Sequence, residues 1–176
     1  MHRARSSGTA WQPASVPQCR QSNSNALTSE TAAQIEMGHS RFDRADEIGA
    51  GLRDAAGADV AGLRSELEAS GWRVFVLPGG ITGRVSFFQA IRNTIPLNPP
   101  LVGDSVWDAL SDSLFGGLLD LGDESLAIIW SDSTVMAGQA PAEFEFARSV
   151  LTQVAEQLAN STYTVGNPKR VAIVLT

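Results

Sequence analysis

Residues 126–130 read LAIIW, and they are echoed by VFVL at 74–77 and VAIVL at 171–175. Each is a short, unbroken apolar run rich in Val and Ile. A strand with one wet face would alternate polar and apolar residues. An unbroken run suits a strand covered on both faces, which is the setting of parallel sheets flanked by helices. The stretches between the three runs carry helical periodicity. That order implies βαβ units, and hence an α/β fold around a small parallel sheet of three strands.

The helices around these strands are legible from their ends and stripes. Asp59 to Ser70 puts Val60, Leu63 and Leu67 on one face, with Gly71 as the stop. Ser86 and Gln89 read as a capping box, Phe88, Ile91 and Ile95 as the apolar face behind it, and Pro96 as the end. After the loop NPPLVG, the stretch GDSVWDALSDSL at 103–114 reads as the next helix. Asp104 is its N-cap, Trp107, Leu110 and Leu114 its buried stripe, and Gly116 and Gly117 its close. A last long helix from about Ala142 to Ala159 repeats Phe144, Ala147, Leu151, Val154 and Leu158, and TYTVGNPKR leads into the final strand. Trp107 and Trp130 are expected in the core. Phe87 is expected to pack under an N-terminal helix.

Upstream, Met1 to about Ala33 is Ser, Gln, Asn, Thr and Ala with prolines, a composition that buries little. Met37, just beyond it, is a candidate translational start. Ser40 to Ala56 is weakly helical, interrupted by Gly49 and Gly51. The expected organisation is a disordered tail at 1–36, an N-terminal helical extension at 37–70 and one domain at 71–176.

The totals narrow the function. A formal charge of −6 and a pI near 4.8 disfavour direct nucleic-acid binding, which draws on clustered Lys and Arg, and favour a basic partner. The single cysteine, Cys19, allows no internal disulfide and fits a reducing cytoplasm. There is no secretory apolar core near Met1 and no 18-residue apolar run to span a membrane. Residues 71–176 contain neither His nor Cys, which closes the usual nucleophile, acid-base, zinc and haem chemistries. LPGGITGR at 77–84 lacks the GxGxxG spacing, so it reads as a turn and not as a phosphate loop.

Carboxylates remain. Asp104, Asp108 and Asp112 recur every fourth residue, and residues 104–124 hold six acidic and no basic side chains. Like charges at i,i+4 oppose each other by about 0.2–0.5 kcal/mol, so the stripe is either a plain solvated face or a surface for a cationic partner. At 100° per residue the three carboxylates fall well away from Trp107, Leu110 and Leu114 and should face solvent. DxxxDxxxD could in principle hold Mg²⁺, but no positive group beside it would bind a phosphate substrate. No cofactor is expected.

From Trp72 to Thr176 the chain resembles the barstar family, intracellular inhibitors of the ribonuclease barnase. The stretches that carry the resemblance are RVFVLPGGIT, VWDALSDSL, SLAIIW, SVLTQVAEQL and the closing VAIVLT, in the family's order. The resemblance implies that Asp112 matches the aspartate inserted into the ribonuclease active site in place of a substrate phosphate. Asp108 matches a second contact one turn earlier, and Glu156 an outer ion pair from the last helix. Ser111 stands at a contact position where the family has a tryptophan, Leu101 or Val102 where its loop carries tyrosines, and Gly117 where it has another contact tryptophan. The implied protein is a binding inhibitor, not an enzyme, monomeric when free, with no nucleic-acid or membrane partner. An immunity module against another basic toxin is the alternative, and a carboxylate or metal-dependent enzyme the third reading.

Overall fold

The computed structural model describes residues 50–103 and 106–176. The expected tail at 1–36, the start at Met37, His2, His39, Cys19, residues 37–49 of the extension and the N-capping role of Asp104 lie outside the described residues. In chain order the elements are β1 (Gly51–Asp54), α1 (Val60–Ala69), β2 (Arg73–Leu77), α2 (Arg84–Thr94), α3 (Trp107–Leu119), β3 (Ser125–Trp130), α4 (Ser133–Gln139), α5 (Pro141–Ala159) and β4 (Arg170–Leu175).

The strands form one parallel sheet in the order β1-β4-β3-β2. All six residues of β3 are buried, which is why that stretch has no polar alternation. Leu126, Ile128 and Trp130 join Phe75, Leu77, Val171, Ile173 and Leu175 in the main core, under side chains from α2, α3, α4 and α5. Ala127, Ile129, Ala172 and Val174 point the other way and meet Leu67 and Trp72 beneath α1. One helix thus covers one face of the sheet, and four cover the other. The α/β class with a parallel sheet agrees with the reading of the sequence.

The sheet has four strands where three were expected. β1 falls within the stretch Ser40 to Ala56 expected to be weakly helical, because GLRD offers a single apolar side chain and no run. Leu52 is half-buried against the main core while Arg53 and Asp54 are exposed. What makes this segment a strand is the free edge of β4, whose backbone groups it pairs in register from Gly51 opposite Ala172 to Asp54 opposite Leu175. The Ala55 amide extends the ladder by donating to the Leu175 carbonyl at 2.7 Å.

Local signals account for most helix ends. Asp59 caps α1, its carboxylate accepting from the Ala61 and Gly62 amides at 3.1 Å each. Gly71, at φ +80°, ends it as expected. At α2 the cap differs from the Ser86–Gln89 reading: the helix starts at Arg84, and Ser86 sits inside it. Ser86 Oγ accepts from the Thr82 and Gly83 amides at 3.0 and 3.1 Å, because Gly83 has no side chain with which to cap. α4 had no signal in the sequence; it is a short helix anchored by the buried Met136, and Ser133 Oγ donates to the Thr176 carbonyl at 3.2 Å. Phe87 is buried, but against Trp130 on the many-helix face, with ring centroids 4.8 Å apart, and not under α1.

Candidate functional site

α3 is held from three sides. Leu110, Leu114 and Leu118 are fully buried against the sheet side of the helical layer. At its N-terminal end Trp107 packs on Phe87 and Phe88 of α2, with centroids 5.9 and 5.0 Å apart. At its far end the buried Lys169 ammonium donates to the carbonyls of Leu121 and Asp123 at 2.5 and 2.9 Å, while the Lys169 amide donates to Leu158 at the end of α5. The two helices therefore run side by side with their C-terminal ends tied through one lysine.

Gly116 and Gly117 do not close α3, as the sequence reading had them doing; the helix continues to Leu119. Their role is close approach. A Cβ on Gly116 would collide with the Asn98 carbonyl oxygen, and one on Gly117 with that of Pro96. The absence of these side chains lets the 96–98 loop lie directly on the helix backbone. The Asn98 amide donates to the Ser113 carbonyl at 2.9 Å and its Nδ2 to an Asp120 carboxylate oxygen at 2.5 Å.

With its inner face occupied, α3 turns Asp108 and Asp112 outward; both are exposed. Asp112 lies opposite the centre of the buried stripe on the helical wheel, and Asp108 one turn before it on the same flank. Neither carboxylate has an ion pair or a side-chain hydrogen bond among the described residues. Asp108 belongs to the first turn, where unpaired backbone amides favour a negative charge by about 0.3–1 kcal/mol. That offsets part of the repulsion between the two aspartates.

Ser111 is placed differently, 7% exposed and turned into the helical layer. Glu156 is exposed on the outer side of α5. It lies two residues before Leu158, whose carbonyl accepts from the Lys169 amide. Among the described residues no three His, Cys, Asp or Glu side chains are grouped to hold a metal ion. No described helix is long and apolar enough to cross a membrane. A surface depression lined by Arg53, Asp54, Asp59, Leu63 and Glu66 belongs to the α1 face, across the sheet from α3.

Two residues near α3 carried no functional signal in the sequence. Lys169 looked like part of a polar turn, yet it is 2% exposed. Phe146 follows the core-facing Phe144 by two residues, which on a helix is enough to put it on the outside. It is 57% exposed and stacks on Trp107.

No curated protein and no solved structure matches the chain. A family model described as "Barstar (barnase inhibitor)" matches residues 72–167, more than half of the chain, and it spans β2, α2, α3, β3, α4 and α5. The chain therefore belongs to the barstar family of barnase inhibitors.

Proposed function

We propose that this protein inhibits a cationic ribonuclease by inserting the outer face of α3 into its active site, and that it performs no catalysis itself. The observation that carries this reading is the pair of unpartnered carboxylates, Asp108 and Asp112, side by side on a helix whose other face is fixed in the core. A ribonuclease active site holds Arg, Lys and His for the phosphates of RNA. Carboxylates on a rigid helix can accept the same hydrogen bonds, in bidentate fashion from Arg. Asp112 takes the phosphate position and Asp108 the adjoining contact, while Glu156 adds an ion pair at the rim. Ser111 supports the helix from below. Net charge of opposite sign on the two proteins steers their encounter.

The inhibitory unit in this reading is residues 71–176, acting as a monomer in the cytoplasm without cofactor. A second reading, an immunity module against a different basic toxin, draws support from Ser111 and Gly117, which the fold turns inward or covers, leaving no aromatic contact at those two positions. Both are tested by co-expressing the protein with barnase and with other basic nuclease toxins, reading growth and RNA integrity. Rescue from barnase that disappears with Asp112→Ala supports the first reading. Rescue only from a toxin that does not cut RNA replaces it with the second.

A further inference from the structure

The N-terminal ends of α2, α3 and α5 converge at one end of the helical layer. Arg84 of α2 pairs with Glu143 of α5 at 3.6 Å, and Phe88 of α2 meets Trp107 of α3 edge-on. Phe146 of α5 lies over the same Trp107, centroids 6.1 Å apart and ring planes 18° from parallel. Phe87, Phe88 and Trp130 are fully buried and need no further explanation. Phe146 is different, since more than half of its surface faces water, and Val85 in the first turn of α2 and Val106 just before α3 are each 55% exposed. Val85 precedes Phe88 by one turn and Val106 precedes Trp107 by one residue, so each adjoins along its own segment a residue of the Phe88–Trp107–Phe146 contact. Asp108 is the next residue along α3. The exposed Phe146 ring thus stacks on the residue that directly precedes the first of the two carboxylates.

α3 by itself supplies charge with little free apolar surface, since its Trp107, Phe115 and Leu119 are only partly exposed and pack against the core. Ser111 is buried, Gly117 has no side chain, and Leu110, Leu114 and Leu118 face the core. Stable interfaces concentrate their energy in an aromatic or aliphatic centre from which water is excluded, with charges around it. We propose that Phe146, with Val85 and Val106, is the apolar anchor of the surface on which a barnase-class ribonuclease docks. The enzyme would seat a planar or aliphatic side chain from beside its cationic cleft on the exposed Phe146 ring, while the cleft itself engages Asp108 and Asp112. This inference rests on the ribonuclease-inhibitor reading above and adds to it the residue that holds the complex together once charge has brought it together.

The test uses the full chain and barnase, with association and dissociation rates measured for wild type, Asp112→Ala, Phe146→Ala, Phe146→Lys and Val165→Ala. Val165 is exposed in the turn that follows α5 and serves as the control. Phe146→Ala should raise the dissociation rate about tenfold or more, as loss of an interface anchor does, with little change in association. Phe146→Lys, which sets a cation against a cationic partner and keeps an aliphatic stem over Trp107, should slow association as well. Val165→Ala should change neither rate. Asp112→Ala weakening binding while both Phe146 variants bind as wild type overturns the anchor and leaves the inhibitor reading standing. A wild-type chain that does not bind barnase overturns the anchor as a barnase-class surface, and an Asp112→Ala variant that binds unimpaired overturns the inhibitor reading and the anchor with it.

Discussion

Replacing Gly117 with alanine sets two effects of opposite sign against each other. On helix propensity alone the change should stabilise α3 by about 1 kcal/mol, since glycine in a helix interior is about that much worse than alanine. The structure predicts the reverse. The new Cβ would meet the Pro96 carbonyl and the Leu97 Cα, all backbone, so no side chain can rotate away. The 96–98 loop is itself held on α3 by the Asn98 amide bond to Ser113 and the side-chain bond to Asp120. Overpacking of this kind costs about 1–3 kcal/mol and more where the neighbour cannot yield. Taking about 3 kcal/mol for a backbone collision and subtracting the propensity gain leaves Gly117→Ala destabilised by about 2 kcal/mol.

Urea unfolding followed by tryptophan fluorescence measures it, with an unchanged m-value and a lower midpoint as the expected result. In a thermal melt the same loss should lower Tm by about 4–8 °C. Gly122→Ala is the matched control, because a Cβ there has no heavy atom within 4 Å. It should be neutral or slightly stabilising, by up to about 1 kcal/mol. If Gly117→Ala is as stable as wild type or more so, the close seating of the loop on α3 is refuted, and with it this explanation of the glycine pair.

Asp112→Ala should leave urea stability within about 0.5 kcal/mol of wild type, since no described residue pairs with it, while weakening inhibition of barnase by about 2–5 kcal/mol; equal inhibition constants would reduce the stripe to solvated surface. Lys169→Met should destabilise by about 2–4 kcal/mol in the same urea assay, because the Leu121 and Asp123 carbonyls lose a charged donor in a buried place; a loss under about half a kcal/mol would show that water replaces it freely. Val165→Gly should stabilise by about 1 kcal/mol, since Val165 holds φ +52° with a β-branched side chain that is almost wholly exposed and gains nothing from burial. A drop in Tm for Val165→Gly would mean that the Val165 side chain makes stabilising contacts despite its exposure.

α3 carries a core-facing side and a charged outer side on one segment. Its apolar residues face inward at the helical repeat, and the carboxylates occupy what is left. Because the inner face is tied at both ends, by Trp107 and by Lys169, the outer face presents its charges in a fixed arrangement. Fixed charges lose little entropy on binding, and affinity gained that way needs no added contact area.

The sequence by itself determined the three inner and flanking strands with unbroken apolar runs, the faces of α1, α3 and α5, and the outward direction of Asp108 and Asp112. These follow from periodicity, because burial on both faces or on one stripe leaves a mark on every residue of the element. Only the tertiary structure decided the rest. GLRD became a strand because the edge of β4 offered it backbone partners, and no side-chain pattern records that. Gly116 and Gly117 continue a helix that their identity would end, since a loop distant in sequence needs the room. Lys169 was buried by carbonyls 46 and 48 residues away, and Phe146 met Trp107 across two helices. Each of these depends on what a residue meets after the chain has folded, and a meeting between distant segments leaves no periodicity in either one.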